Sequence, residues 1–195
     1  MDSDPVNSAP DTAPAGSSAW GEVIAFWREA GYRQWFGGGA AFDRECETRF
    51  LDAHFAAARR ELEPWMADAE GALALLVLLD QIPRNVFRTS AHAYATDPMA
   101  RAVAERAIGH GFDLQVEPEL RTFFYLPFMH SEAMLDQQRA LELYQSIDQP
   151  GADKWAVHHH AIIERFGRFP HRNRLLGRAT TPAEQAFLDG GGFGG

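Results

Sequence analysis

Apolar positions recur at helical intervals along almost the whole chain. In "SSAWGEVIAFWREAG", Trp20, Val23, Ile24 and Trp27 share one face at i, i+3, i+4, i+7 spacing, with a stop at Gly31. "FDRECETRFLDAHFAAARREL" repeats the pattern through Phe42, Cys46 and Phe50, which predicts a second amphipathic helix and a core role for the cysteine. A third helix is predicted from Asp68. Through "ALALLVLL" at 72–79 it becomes apolar on every side and belongs at the centre of the fold. Asp97-Pro98 reads as an N-cap and first helical residue, opening a helix that "GHGFD" ends near His110. Glu117-Pro118 opens another, "PELRTFFYLPFMH", with a kink expected at Pro127. Two more are expected at about 132–147 and 152–166. "TPAE" at 181–184 is a capping box, with Thr181 as N-cap and Glu184 at the third helical position.

Strand signals are scarce. Seven or eight helices with short links predict an all-α array of antiparallel helical hairpins, in one domain over 18–189. No self-similarity at the roughly 34-residue tetratricopeptide period is present. The longest link, "FRTSAHAYATD" at 87–97, is a candidate functional loop. Residues 1–17, rich in Pro, Ala, Ser and Asp, predict a disordered tail, and Gly-rich 190–195 a flexible one.

Charge and composition narrow the function classes. A net charge of -9 argues against nucleic acid and anionic membranes as partners. The apolar run at 72–79 is far short of the roughly 20 residues a membrane helix needs. One cysteine excludes an intrachain disulfide, and no targeting signal opens the chain, so a cytoplasmic location is expected. Lys154 is the single lysine among 18 basic residues, so arginine alone says little about phosphate and only clustering counts. Such a cluster exists: residues 158–178 hold Arg165, Arg168, Arg172, Arg174 and Arg178 against Glu164.

Three polar stretches interrupt apolar surroundings. In "DQIPRNVFR", Asp80 continues the face of Leu73, Leu76 and Val77 and is aimed at the core. Pro83 disfavours helix at Ile82, so Asp80 is expected beside a helix C-terminus, where the dipole adds to its discomfort. An unpaired buried carboxylate is costly, so Arg84, Arg88 or an arginine from elsewhere must meet it. "FYLPFMHSE" supplies His130, Ser131 and Glu132. Helical residues two apart diverge by about 200°, so His130 and Glu132 meet only on an irregular backbone. In "HHHAIIERFGRFPHRN", His159 shares a face with Ile162, Ile163 and Phe166 and points inward, leaving His158 and His160 to solvent. Gly167 and Pro170 then send Arg168, His171, Arg172 and Asn173 into an irregular turn. No histidine pair has the i, i+4 spacing of a zinc helix, and a set of His130, Glu132, His159 and His171 has no ligand spacing behind it; no metal or cofactor is expected. "FGGGAAFD" at 36–43 lacks the strand and lysine of a phosphate loop, and nucleophile-elbow, CxxC and dinucleotide motifs are absent.

"LLDQIPRNVFR", "FFYLPFMHSE" and "RFGRFPHRNRLLGRATTPAEQAFL" together resemble the bacterial domain-of-unknown-function family 924. Further matches are Phe26-Trp27, Trp35-Phe36, Ala95-Thr96-Asp97, and His159 seven residues before Phe166. The resemblance covers about 20–193, leaving the start and the "GGGFGG" end peculiar to this chain. It implies a tetratricopeptide-like helical array and carries no established activity. The motif residues it carries over are Asp80, Gln81, Arg84, Asn85, Arg88, His130, Ser131, Glu132, His159, Arg165, Arg168, His171, Arg172 and Asn173. Two uses stay open for them. One is a structural clamp in which Arg165, Arg168 and Arg172 neutralise Asp80 and Glu132. The other is a pocket between helices where the arginines, His130 and His171 bind a small anionic ligand or a peptide carboxylate. An enzyme on that pocket would use His130 or His159 as base, oriented by Glu132. A protein-interaction scaffold rests on fold analogy alone.

Overall fold

The computed structural model describes residues 17–147 and 150–194, with side chains from Trp20 onward. The tail expected over 1–17 lies outside the described residues, apart from Ser17 at the start of the first helix. The described residues form helices and turns with no strand. In order they are α1 (Ser17–Gly37), α2 (Ala40–Ala58), α3 (Ala69–Leu76), α4 (Ile82–Val86), α5 (Asp97–Gly109), α6 (Thr122–Met129), α7 (Met134–Gln145), α8 (Lys154–Phe166) and α9 (Pro182–Asp189). A wide turn at Val77–Gln81 joins α3 to α4 as one continuous helix, giving eight rods among the described residues.

That continuous helix organises the molecule. Asp68 caps it by accepting from the Gly71 amide at 2.8 Å. Only glycine fits at 71, because a Cβ there would stand 2.1 Å from the Trp65 carbonyl oxygen. Residues 71–83 are all buried, as the apolar run at 72–79 requires, and Asp80 and Gln81 are buried with it. α3 packs on α1, α5 and α6; α2 packs on α4; and α5 to α8 pack successively. Cys46 lies in the α2 face of this core, where burial first, then Asp43, pushes its thiol up to about 12. It packs as an apolar filler of the core.

The helix does not stop before Pro83 as the sequence suggests. Ile82 keeps helical geometry (φ -55, ψ -46), and its amide reaches back five residues to the Val77 carbonyl. Side chains reach four successive carbonyls of this wider turn. His54 Nδ1 donates to Leu78 O (2.9 Å), Thr96 Oγ1 to Leu79 O (2.5 Å), Arg84 Nη1 to Asp80 O (2.7 Å) and Asn85 Nδ2 to Gln81 O (3.0 Å). Asp80 therefore sits in mid-helix, and its only discomfort is burial.

Other boundaries differ for equally local reasons. α1 bends at Gly31 (φ 64) and runs on to Gly37. Asp97 is not a cap: Thr96 precedes α5, and the Asp97 carboxylate is drawn away by Arg84. Residues 117–121 form turns, so α6 opens at Thr122. α8 ends at Gly167 (φ 69), and the chain hooks through a single turn at Pro170–Arg172 to α9. There the Thr181–Glu184 capping box forms as its sequence demands. The glycine-rich end, expected as a flexible tail, turns back at Gly191 (φ 78) and lays Phe193 against His159, ring centres 4.6 Å apart. Among the described residues no helix is long and apolar enough to cross a membrane.

Candidate functional site

Asp80 is the hub of the buried polar network, 1 % exposed. Gln81 Nε2 donates to its Oδ2 at 2.5 Å, Arg84 Nη1 stands 3.2 Å from Oδ1, and His130 Nδ1 lies 2.8 Å from the same oxygen. Burial alone would raise this carboxyl, but Arg84 and His130 outweigh it and hold it below the usual carboxylate range. An ionised carboxylate only accepts, so the His130 proton is on Nδ1 and Nε2 keeps its lone pair. Burial, then Arg84, pushes His130 down, and the ring is neutral near pH 7. α6 delivers this histidine at its C-terminus, one residue past Met129.

Arg84 also grips Asp97 through both terminal nitrogens, at 2.9 and 3.1 Å. Arg172 approaches Asp97 from the other side but reaches only 3.6 Å. Its guanidinium instead lies over the rings of Tyr94 (4.5 Å) and Phe169 (4.6 Å). Its buried Nε has no hydrogen-bond partner. Burial, then repulsion from Arg84, pulls Arg172 down to about 10, although it stays charged at neutral pH.

Two more imidazoles complete this end. His159 donates from Nδ1 to the Trp155 carbonyl (2.8 Å), so its Nε2 is likewise an acceptor, and burial takes it down to about 3. Burial also takes His171 down to about 4, and its Nδ1 is buried with no partner. His158 and His160, expected in solvent, are half-buried; Phe193 covers His158 with ring centres 5.8 Å apart.

The remaining motif residues serve the hook or pin neighbouring helices. Arg178 grips Glu132 at 2.6 and 3.0 Å and also donates to Asn173 Oδ1 and Phe169 O. The Phe169 amide donates to Glu132 as well, at 2.8 Å. Arg168 holds Glu184 at 2.6 and 2.9 Å, which keeps that carboxyl far below its ordinary range. Ser131 donates to Asp136 (2.5 Å) and accepts from Ala133 N, fixing the start of α7. Arg88 pairs with Asp43 at 2.6 and 2.7 Å and with Asn85.

The clamp expected of Arg165, Arg168 and Arg172 on Asp80 and Glu132 is therefore a different set of pairs. Asp80 is met by Arg84 and His130, and Glu132 by Arg178. The turn at Gly167 and Pro170 is the reason: it faces Arg168 toward α9 and Arg172 toward the 91–97 loop. Arg165 stays exposed, over the Phe166 ring at 4.7 Å. Glu132 orients neither histidine; Asp80 orients His130.

A cleft of about 1430 Å³ opens beside the network. It brings together Gln81, Arg84, Asn85, Arg88, His130, His159, His171 and Arg172, with Asp80 directly behind. Ser131, Glu132, Arg165, Arg168 and Asn173 are not in its wall. Sequence reasoning missed Tyr94, although the 87–97 loop was marked, and missed Leu126, Met129, Trp155 and Phe193 as lining. Hydrophobic spacing identified Leu126 and Met129 as apolar but could not tell a cleft wall from a core. Nothing around Phe193 signals packing. Among the described residues no three His, Cys, Asp or Glu side chains converge as metal ligands.

A family model described as "Bacterial protein of unknown function (DUF924)" matches residues 23–192. The chain is also similar to a solved structure of a protein of unknown function from Agrobacterium tumefaciens. Identity is 52%, the TM-score is 0.85, and the match covers 88% of this chain and 97% of that one. No curated protein matches the chain.

Proposed function

The chain belongs to the bacterial family DUF924, and we propose that the polar end of its cleft binds a small anionic ligand. One observation carries this reading. Arg172 is 6 % exposed, yet its carboxylate neighbour, Asp97 at 3.6 Å, is already gripped by Arg84 and its own Nε is unpartnered, while the neighbouring Arg84 and Arg88 are held in two-pronged pairs. A buried guanidinium is strongly disfavoured unless something offsets its lost hydration. Ring stacking on Tyr94 and Phe169 offsets part of it, and a carboxylate or phosphate in the cleft would complete it. The lone pairs on His130 and His159 favour a ligand that also carries a hydroxyl or amine donor. The charge of -9 supports a role away from nucleic acid, and a lone core cysteine suits a reducing, cytoplasmic setting.

The test is thermal unfolding with added phosphate and with simple carboxylates. Wild-type protein is expected to gain melting temperature with at least one of these anions, and Arg172→Met to gain none. A wild-type protein indifferent to all of them overturns the reading.

A second reading, acid–base catalysis, is favoured by the 2.8 Å Asp80–His130 bond. A carboxylate at Nδ1 fixes the imidazole with Nε2 ready to take a proton from water or a ligand hydroxyl. It is tested with activated acyl esters such as p-nitrophenyl acetate. Nitrophenol release that falls about 100-fold or more in His130→Gln supports it. Release no faster than in buffer sinks it.

A further inference from the structure

The cleft is far larger than an inorganic anion needs, and its chemistry changes along its length. A single bound water occupies roughly 30 Å³, against a cleft of about 1430 Å³. α6 forms one wall. Thr122, Leu126, Met129 and His130 line the cleft at i, i+4, i+7, i+8, a single stripe of that helix. The stripe runs roughly 12 Å from Thr122 to His130 at the helical rise and carries no charge before the histidine. At its far end Trp35 and Phe36 stand on the Phe123 ring, centres 5.1 and 6.3 Å away. Phe36 is 50% exposed there, with Tyr32 beside it at 4.9 Å. Tyr144 and Ile147, from the end of α7 and just beyond it, also line the cleft. The charged groups at this mouth are Arg28, Glu117 and Glu119, and Arg28 is already held by Glu117 and Glu70.

A cationic pole thus leads into the uncharged α6 stripe with an aromatic end, while Lys154 and Arg174 stand elsewhere in the cleft lining. We infer that the ligand is an amphipathic anion: a carboxylate at Arg172, carrying a medium-length acyl chain past the histidines and along the α6 stripe to Phe36. This rests on the anion reading above and gives it a substrate class. The other faces of α6 are apolar because they are core, and its cleft-lining stripe ends on the one histidine that Asp80 orients. Such a ligand also gives the half-exposed Phe36 a use, as the wall against which the chain tail packs.

The experiment is calorimetric titration with a homologous series of straight-chain carboxylates, acetate, butyrate, hexanoate, octanoate and decanoate. The weak members are read by competition against decanoate. Each methylene that enters the groove is expected to tighten binding about fourfold, until the groove is full. Phe36→Ser, at an exposed position that leaves folding intact, is expected to weaken decanoate about tenfold and leave acetate unchanged. Arg172→Met is expected to abolish the advantage of decanoate over decanol. A series with equal affinity from acetate to decanoate overturns the amphipathic ligand and leaves the anion site standing. Decanoate bound equally well by wild type and Arg172→Met overturns the anion site itself. Binding of none of these carboxylates overturns both.

Discussion

Arg168 and Arg172 stand four residues apart in one short motif and live in opposite circumstances. Arg168 holds both oxygens of Glu184 and a backbone carbonyl, on the outer side of the hook. Arg172 faces inward, stacked between two rings, 3.6 Å from a carboxylate that Arg84 already holds. The same residue type is a fully paired strut in one place and a spare cation in the other. A cluster of arginines is therefore not evidence for a ligand; the member whose partners run out is.

That contrast orders the expected effects of substitution. Asp80→Ala is the most damaging, because it leaves the Gln81 and His130 donors unpaired against a buried void and takes from Arg84 one of its two carboxylates; a loss of about 3–5 kcal/mol in urea unfolding is expected. Arg178→Met follows, at about 2–3 kcal/mol, since Glu132, Asn173 and Phe169 all lose a donor. Arg168→Met should cost less than Arg178→Met but measurably lower the unfolding midpoint, with the capping-box amide still serving Glu184. Arg172→Met should cost nothing or stabilise, because it removes a desolvated charge and keeps the volume between Tyr94 and Phe169. A value for Arg172→Met below wild type by more than about 1 kcal/mol would erase the contrast.

Acid sharpens the same comparison from the side of the cleft. His159 and His171 bind protons less readily folded, at about 3 and about 4, than unfolded, at about 6.5. Their contribution to stability is full above about pH 6.5 and is lost as pH falls toward 4, because the unfolded chain takes up the protons. Near pH 5 that is about two protons, or about 2–3 kcal/mol per pH unit, read as a steep fall in melting temperature between pH 6 and 4.5. His130 and His54, both lowered by burial, act in the same direction. A flat melting temperature across this range would mean that these rings are hydrated and that the cleft end is open water.

Legibility from sequence followed the range of the interactions. The all-helical class, the buried central helix, the Asp68 start and the Thr181 capping box rest on local spacing and capping chemistry, and each appears in the structure. The inward direction of Asp80 and His159 was legible for the same reason, one helical face at a time. What failed was non-local. The wide turn at 77–81 is accompanied by His54 and Thr96, 24 and 17 residues away from the carbonyls they serve, donating to Leu78 and Leu79, and no local rule announces them. Which arginine met which acid depended on the rotation of the hook after Gly167, where a single positive φ (69°) redirects the chain. Asp97 was misread because Asp before Pro is such a good cap signal, and its true partner lies 13 residues upstream.

The most direct test is a matched pair of ligand-free urea unfolding curves, Arg168→Met against Arg172→Met, each referenced to wild type. The spare-cation reading requires Arg168→Met to unfold at lower urea than wild type, while Arg172→Met unfolds at or above the wild-type midpoint. If Arg172→Met loses as much as Arg168→Met, both arginines are struts, and the cleft has no cation waiting for a ligand.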